Sequence, residues 1–365
     1  MPLRRNRMPK LNEETMNQWI EADSDIVALT LYQRLAPVEE SGVIFPPTYA
    51  DIGYCVDELA DGTRIAQVDS VGSQANRMEP LFLSPEYQEL VPRVRFELGG
   101  DESGEVRHVS LLELAHRAGD AVVRSTEMAG KVDEAFRRLA NDGDATLLAK
   151  IAPTSLVFGA WDSRGTQVKR PRLVRAVIRA EDVQVLHTAA QYNSVWKLLN
   201  EADRDALKKE AKKKKVKLSV QGFADAPSVG VPGGVIANGS IYRQVTINLI
   251  ALRSLHGADE AATRRLRRYL LGLTLVAATA DLELYLREGC LLRYAEEEDK
   301  WQAVRRRGKA DDYLLAAEAG HKIIMEFARK SAHEFGVDKE ERIYRFDIEK
   351  AKALLAKKED LTEEV

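Results

Sequence analysis

The sequence is poor in cysteine, and it has no apolar segment long enough to cross a bilayer. Two cysteines, Cys55 and Cys290, cannot build a disulfide framework or a Cys-rich metal site, which indicates a reducing compartment. The basic start, MPLRRNRMPK, has no apolar segment behind it and so does not resemble a signal peptide. The most apolar stretch, YLLGLTLVAATA (269–280), is too short to span a membrane. We therefore expect a cytoplasmic protein that does not enter a membrane.

The common signatures of catalysis are also missing. The sequence contains no HExxH, CxxC or Gly-x-Ser-x-Gly motif, and its glycine-rich segment at 225–240 lacks the Gly-Lys-Ser/Thr ending of a phosphate loop. The six histidines lie far apart: His108, His116, His187, His256, His321 and His333. The sequence therefore predicts no enzyme, no metal site and no cofactor.

Charge is distributed unevenly along the chain. The net charge is −3, yet residues 161–280 contain 21 Lys and Arg against 10 Asp and Glu. A basic segment inside an acidic chain is typical of a localised nucleic-acid surface. Uneven surface charge without a function is the alternative interpretation.

The order of the predicted elements favours an α+β fold with insertions, because strands and helices alternate irregularly. Strands are predicted at 25–38, 64–68, 91–98, 105–109, 155–158, 172–180, 215–220 and 241–252. Helices are predicted at 11–22, over much of 111–150, at 194–214 and at 259–279, with a Gly/Pro loop at 225–240, a basic loop at 301–309 and a mostly helical C-terminal third.

The stretch SVGSQANRMEP (70–80) concentrates polar side chains in a short predicted helix that Asp69 or Ser70 caps and Pro80 ends. Its apolar stripe should face inward, and its polar side chains should share one arc: Ser70, Ser73, Gln74 and Arg77. Hydroxyl, amide and guanidinium groups suit phosphate oxygens and 2′-hydroxyls. Alternatively, the polar face bonds to neighbouring loops.

A second polar stretch, FGAWDSRGTQVKRPR (158–172), combines an aromatic side chain with several cations. Trp161 is a candidate platform for base stacking. The cations that would hold phosphates are Arg164, Lys169, Arg170 and Arg172. In the alternative, Trp161 is tucked into the core. Asp162 is either a general acid or, as we favour, an ion-pair partner of a nearby cation.

The strand that follows this loop places Arg175 and Arg179 on one face together with aliphatic residues. That face either meets a ligand or is half covered, and the sequence does not decide between the two. The lysine run at 208–215 is best interpreted as a solvated helix end, since cations complement the helix dipole there. The arginines at 264–268 mark either a binding surface or a solvated helix.

Five stretches together resemble the backbone subunit of type I-U (I-G) CRISPR effector complexes, a Cas-seven-type member of the RAMP superfamily. They are SVGSQANRMEP, VIFPPTY, FGAWDSRGTQVKRPRLVRAVI, GVPGGVIANGSIYRQVTINLIALR and TRRLRRYLLGLTLVAATADLELYLREGCLL. The resemblance covers roughly residues 25–295, in the order found in the family. The first and third stretches are the most specific.

The resemblance implies an RRM-like (ferredoxin-type) core with large helical and loop insertions over residues 25–295. An N-terminal extension (1–24) would precede it, and a mostly helical C-terminal region (296–365) would follow. It also implies that many copies stack along one CRISPR RNA and that this guide pairs with target DNA. The expected partners are other effector subunits, of the Cas-five, Cas-six and large-subunit types. The RNA contacts it implies are Ser70, Gln74, Asn76, Arg77, Arg164, Lys169 and Arg170.

Since spacers vary in sequence, such a subunit must hold the guide by its backbone and leave the bases free to pair. The resemblance therefore implies a binding subunit in antiviral defence, with DNA cleavage left to a separate helicase-nuclease. Two alternatives stay open. One is an RNA-cleaving subunit that uses Asp162, as backbone subunits of the type III branch use a loop aspartate. The other is a scaffold that binds only proteins.

Overall fold

The computed structural model describes residues 11–359 except for 101–103, 164, 193, 225, 296–298 and 314–316. The described helices are α1 (Glu13–Ile20), α2 (Val71–Met78), α3 (Ala121–Arg124), α4 (Ala129–Asn141), α5 (Thr146–Ile151), α6 (Thr154–Val157), α7 (Glu201–Lys214), α8 (Leu249–Arg253), α9 (Glu260–Thr279), α10 (Ala317–Phe335) and α11 (Ile348–Glu359).

The described strands range in length from two to twelve residues. They are β1 (Ile26–Pro37), β2 (Val43–Ile44), β3 (Thr48–Tyr49), β4 (Gly53–Tyr54), β5 (Val56–Glu58), β6 (Arg64–Asp69), β7 (Val94–Gly100), β8 (Val106–Ser110), β9 (Ala160–Trp161), β10 (Lys169–Arg170), β11 (Val174–Glu181), β12 (Val183–Tyr192), β13 (Ala226–Ala237), β14 (Ile241–Asn248), β15 (Tyr285–Arg287), β16 (Cys290–Tyr294), β17 (Lys300–Arg305), β18 (Asp311–Tyr313) and β19 (Arg342–Arg345).

The main sheet is antiparallel and curled, so the predicted α+β class is confirmed. Its strand order is β15-β16-β1-β14-β11-β6-β5, and β17 also pairs with β1. Strand β1 alternates as a half-buried strand should, since Leu29, Leu31, Gln33 and Leu35 are buried while Thr30, Tyr32 and Arg34 are more exposed. The face that carries these leucines forms the core.

Helices α2, α8 and α9 pack on the main sheet. Helix α9 begins after Asp259, whose side chain accepts a hydrogen bond from the Ala262 backbone, and its predicted apolar stripe is buried from Leu266 to Val276. Helix α10 packs closely against α9, and Gly272 permits this contact because a Cβ at that position would lie 3.0 Å from the Cα atom of Ala328. The sequence therefore predicted α9 and its inward face correctly.

Several predicted elements were wrong. Residues 155–157 lie in α6 rather than in a strand, because Pro153 immediately before the helix has a φ suited to its first turn. The strand predicted at 241–252 ends at Asn248, where helix α8 begins. Residues 215–220 form turns, since Lys215 ends α7 in the left-handed conformation. The basic segment at 301–309 begins as strand β17, and the C-terminal third also contains β18 and β19.

The largest difference lies within the predicted Gly/Pro loop (225–240), where residues 226–237 form strand β13, paired with the unpredicted strand β12. The register shifts between Val185 and His187 and between Thr188 and Ala189, which accommodates the glycines and prolines as bulges. Gly233 permits this pairing, because a Cβ there would lie 2.7 Å from the His187 carbonyl carbon. The predicted division of the chain at residues 24 and 295 stays a prediction.

Candidate nucleic-acid interface

Helix α2 begins and ends where the sequence predicts. The Ser70 hydroxyl accepts a hydrogen bond from the Ser73 backbone N–H at 3.2 Å and so caps the helix. Pro80 lies just beyond its end, in a short 3₁₀ turn. Ala75 and Met78 are buried, as the predicted apolar stripe requires. The helix therefore presents its remaining side chains at the edge of the core.

A buried carboxylate organises the start of this helix. Asp69 is fully buried and accepts hydrogen bonds from Gln74 Nε2 (2.7 Å), Arg77 Nε (3.1 Å) and Arg287 Nη2 (3.2 Å). Arg77 also donates through Nη2 to the Leu286 carbonyl at 2.7 Å. The carboxylate thus joins β6, α2 and the edge strand β15 in one network.

Gln74 connects that network to an arginine inside the core. Its Oε1 accepts a hydrogen bond from Arg243 Nε at 3.0 Å, so both polar ends of this fully buried amide are bonded within the protein. Arg243 is also fully buried and donates through Nη1 to Gln33 Oε1 at 2.6 Å and to the Ala278 carbonyl at 3.1 Å. Burial lowers the pKa of the Arg243 guanidinium. Gln74 therefore holds helix α2 against the sheet.

The rest of the predicted arc lies at the surface to different degrees. Ser70 and Ser73 are half-buried, and the Arg77 side chain, 26% exposed, is already bonded to Asp69 and to β15. Asn76 lies off the predicted arc and is exposed. Of the two possibilities left open by the sequence, internal bonding thus accounts for Gln74 and for much of Arg77.

The loop at 158–172 forms a two-stranded turn that presents an aromatic ring to solvent. Strand β9 pairs with β10, and this pairing places Lys169 opposite Trp161. The Trp161 side chain is 57% exposed, so it is not tucked into the core. The Lys169 ammonium lies 5.8 Å from the centre of the indole ring. The exposed ring and its neighbouring cation match the predicted stacking platform.

Trp161 borders a cleft of about 280 Å³ that is rich in cations. Its charged and ionisable lining consists of His116, Arg117, Lys169, Arg170 and Arg172. Burial, followed by the positive charges of Arg117 and Arg175, lowers the pKa of Arg172, and burial lowers that of Arg170. Three predicted cations thus meet in one cleft, where an anion would relieve their repulsion. Arg164 lies outside the described residues.

Asp162 lies beneath this turn and is fully buried. One of its oxygens pairs with the Arg124 guanidinium, and the other accepts hydrogen bonds from Thr166 N (2.7 Å) and Thr166 Oγ1 (2.8 Å). Gly165 is required beside them, because a Cβ there would lie 2.6 Å from Arg124 Nη2. The interpretation of Asp162 as an ion-pair partner is confirmed, and its contacts shape the loop that carries Trp161.

A second buried ion pair joins helix α2 to the cleft. Arg117 donates through Nε to Glu79 at 2.6 Å and through Nη1 to the Gly159 carbonyl at 3.3 Å. Glu79 follows the last residue of α2, and both side chains are almost completely buried. Arg117 has a φ of 52°, a left-handed conformation unusual outside glycine. Glu79 and Arg117 therefore fix the distance between the two predicted binding stretches.

Glu79 should make the stability of the protein depend on pH. Burial outweighs the attraction of Arg117 and raises the pKa of Glu79 to about 7. The folded state then binds one more proton than the unfolded state between the ordinary carboxyl pKa and pH 7, so stability falls as pH rises through this range. Relative to a Glu79→Gln variant, the wild type should lose about 3 kcal/mol between pH 4 and pH 8. Urea unfolding of both proteins measures this, and a pH-independent difference would contradict it.

The histidines remain dispersed. His321 bonds to Tyr87 and Thr279, while His116 alone lines the cleft beside Trp161. Within the described ranges, no three His, Cys, Asp or Glu side chains gather closely enough to hold a metal ion. Across the same part of the chain, no helix has the length and apolar character needed to cross a membrane.

Residues 29–185 match the model of the family described as CRISPR-associated protein GSU0053 (Cas_GSU0053). Over this segment the chain is similar to a family of CRISPR-associated proteins. The matched segment runs from β1 to the start of β12 and includes Asp69, helix α2 and the whole Trp161 cleft loop. No curated protein matches the chain. Both candidate binding stretches therefore lie within the part of the chain that carries the family match.

Sequence reasoning missed the buried charges that position these stretches. The burial of Arg243 could have been predicted from the sequence. This residue lies at every second position with Ile241, Val245 and Ile247 and therefore faces the core with them. The pairing of Glu79 with Arg117 could not, because it depends on a turn that brings together residues 38 positions apart. Asp69 was considered only as a helix cap, whereas it is the centre of a buried network.

Proposed function

We propose that this protein binds CRISPR RNA along its backbone, as a repeated and stacked subunit of a type I effector complex that presents the guide to target DNA. The observation that carries the proposal is the cleft in which an exposed Trp161 lies beside Lys169, Arg170 and Arg172, inside the segment that matches a CRISPR-associated family. An aromatic platform combined with cations is the usual means of holding a single strand without reading its sequence.

The electrostatics of the cleft favour phosphate contacts over base recognition. Burial lowers the pKa of Arg172, and the positive charges of Arg117 and Arg175 lower it further. Phosphates would relieve that repulsion. The asparagine and hydroxyl groups at the surface of α2 add neutral donors for phosphate or ribose oxygens. Such contacts hold any spacer equally well and leave its bases free for pairing.

The strand order supports a ferredoxin-type core. Helices connect β1 to β11, β14 follows β11, and α9 leads from β14 to β16. In the sheet these four strands lie side by side in the order β16, β1, β14, β11, and each neighbouring pair is antiparallel. Counted along the chain, this is the order 4-1-3-2. This is the arrangement that a split βαβ unit produces. It supports the RRM-like core that the resemblance implies.

In this proposal the chain binds RNA without cleaving it. Asp162, the candidate catalytic carboxylate, has one oxygen paired with Arg124 and the other bonded to Thr166, and these contacts favour a structural role. The expected partners are further copies stacked head to tail, the Cas-five, Cas-six and large subunits, and target DNA through the guide, all in the cytoplasm. A head-to-tail contact that does not close generates the open helix that a guide of many nucleotides needs.

Co-expression of the protein with a CRISPR array tests this function directly. We expect RNA of spacer length to copurify, and sequencing should return all spacers of the array in similar yield. Expression of the same protein without the array is the control and should yield no such species. Purification free of nucleic acid, or with random cellular RNA despite the array, would contradict the proposal.

A further inference from the structure

One face of the main sheet carries polar, aromatic and basic side chains instead of the core. It is opposite to the face on which Arg243 meets helices α2 and α9, because side chains alternate along each strand. The residues of this open face come from four neighbouring strands: Thr30, Tyr32 and Arg34 on β1, Tyr242, Gln244 and Thr246 on β14, Arg175, the buried Val177 and Arg179 on β11, and Lys300 and Gln302 on β17.

Two tyrosines form the centre of the open face. The rings of Tyr32 and Tyr242 stack with their centres 4.9 Å apart and their planes inclined by 21°. Tyr242 is almost buried, while Tyr32 remains half-buried and keeps part of its surface accessible. A tyrosine held in place by a second ring offers a rigid aromatic surface on which a base can stack at little cost in side-chain entropy.

The open face is also positively charged. Arg34, Arg175 and Lys300 are exposed and Arg179 is half-exposed, whereas β11 contributes the carboxylate of Glu181 to the same face. The register places Arg34 and Arg179 on either side of Tyr242, and Lys300 beside Tyr32. Cations therefore flank both rings, which is the charge complement of a polyanion with stacking bases.

This surface is continuous with the Trp161 cleft. The charge of Arg175 is close enough to Arg172, a lining residue of the cleft, to contribute to its lowered pKa. Only Leu173 and the first residue of β11 separate the two arginines in the chain. A strand that leaves the cleft past Arg172 thus meets Arg175, and then Arg179 and the tyrosine pair, along β11 and β14.

We propose that the open face binds the single-stranded RNA that leaves the Trp161 cleft, with phosphates on Arg175 and Arg179 and one base per subunit against Tyr32, so that the other bases stay free to pair. This inference rests on the proposed function, since it extends the path of the same strand. It adds a second binding surface to each subunit.

RNA strands of two lengths separate the two surfaces. A strand of about 5 nucleotides should occupy the cleft alone, and one of about 16 nucleotides should also reach the open face. An Arg175→Ser/Arg179→Ser variant of the full chain should bind the long strand roughly tenfold more weakly at physiological salt, with a salt dependence shallower by about 1.4 in log–log slope. Its affinity for the short strand should not change.

The matched control is Arg137→Ser/Arg138→Ser, which removes the same charge from two exposed positions on helix α4. It should bind both strands as the wild type does. As a second measurement, 4-thiouridine in the long strand should cross-link the wild type to peptides that contain Tyr32 or Tyr242.

The outcomes separate this inference from the proposed function. If the wild type binds neither strand, the proposed function fails and the inference fails with it. If the wild type binds both strands, but the Arg175/Arg179 variant binds the long strand equally well and no cross-link reaches β1 or β14, the inference alone is overturned. A variant that keeps RNA binding but loses self-association would also overturn it, by assigning the open face to a protein partner.

Discussion

Replacement of Asp69 by alanine should lower the free energy of unfolding by about 3–5 kcal/mol. The carboxylate is fully buried, and its removal leaves Arg77, Arg287 and Gln74 without the acceptor that they share. Removing one partner of a buried ion pair lowers the free energy of unfolding by more than the pair itself contributes, because the remaining charged group stays shielded from water without a counter-charge. Denaturant unfolding with an unchanged m-value would measure the loss as a lower midpoint.

Asp57→Ala is the matched control, since Asp57 is an exposed carboxylate on the adjacent strand β5. Its effect should stay within about 0.5 kcal/mol. Asp69→Asn, which keeps the shape of the side chain, should lie between the alanine variant and the wild type. A loss below about 1 kcal/mol in Asp69→Ala would show that solvent or other groups replace the carboxylate, and that the network is not the anchor of α2.

The second large effect concerns binding rather than stability. A Trp161→Ala/Lys169→Ser/Arg172→Ser variant should bind guide RNA on the order of a hundredfold more weakly at physiological salt, because it loses a stacking platform and two phosphate contacts. All three residues lie at the surface, and Arg172 is only partly desolvated within the cleft, so the unfolding midpoint should stay near that of the wild type. Filter binding at several salt concentrations would measure both the affinity and a slope shallower by about 1.4.

The loss should be equal for guides of unrelated sequence, because backbone contacts are present at every position. A loss confined to particular spacers would contradict backbone recognition and indicate base contacts instead. Lys169→Ser/Arg172→Ser with Trp161 intact separates the two contributions. It should show the full change in salt slope but only part of the change in affinity.

Local sequence signals predicted those elements whose structure depends on neighbouring residues. Ser70 caps α2 and Asp259 caps α9 because a hydroxyl or carboxylate reaches a backbone N–H within the next turn. Strands β1, β6 and β11 followed from their hydrophobic alternation or apolar runs. The hairpin of β12 and β13 was missed, because its glycines and prolines are tolerated only through bulges against a partner strand.

In the candidate site, too, contacts between residues close in sequence could be predicted, and contacts between distant residues could not. Trp161, Lys169, Arg170 and Arg172 are close in sequence, and a two-stranded turn was enough to bring them into one cleft. The inward position of Gln74 instead depends on Arg243, which lies 169 residues away. Local periodicity predicts which side of a helix is polar, but it does not predict that a buried polar side chain from a distant strand will form a hydrogen bond with that side.

The Asp69 network has a consequence for the order in which the chain folds. Its partner Arg287 lies 218 residues further along the chain, so the network cannot close until the edge strand β15 has been synthesised and docked. Contacts of such long sequence separation form slowly, because a large loop must be ordered first. Before that, the Asp69 carboxylate can pair only with Gln74 and Arg77, which lie in its own segment of the chain. We therefore expect the docking of residues 285–287 to complete the network late in folding.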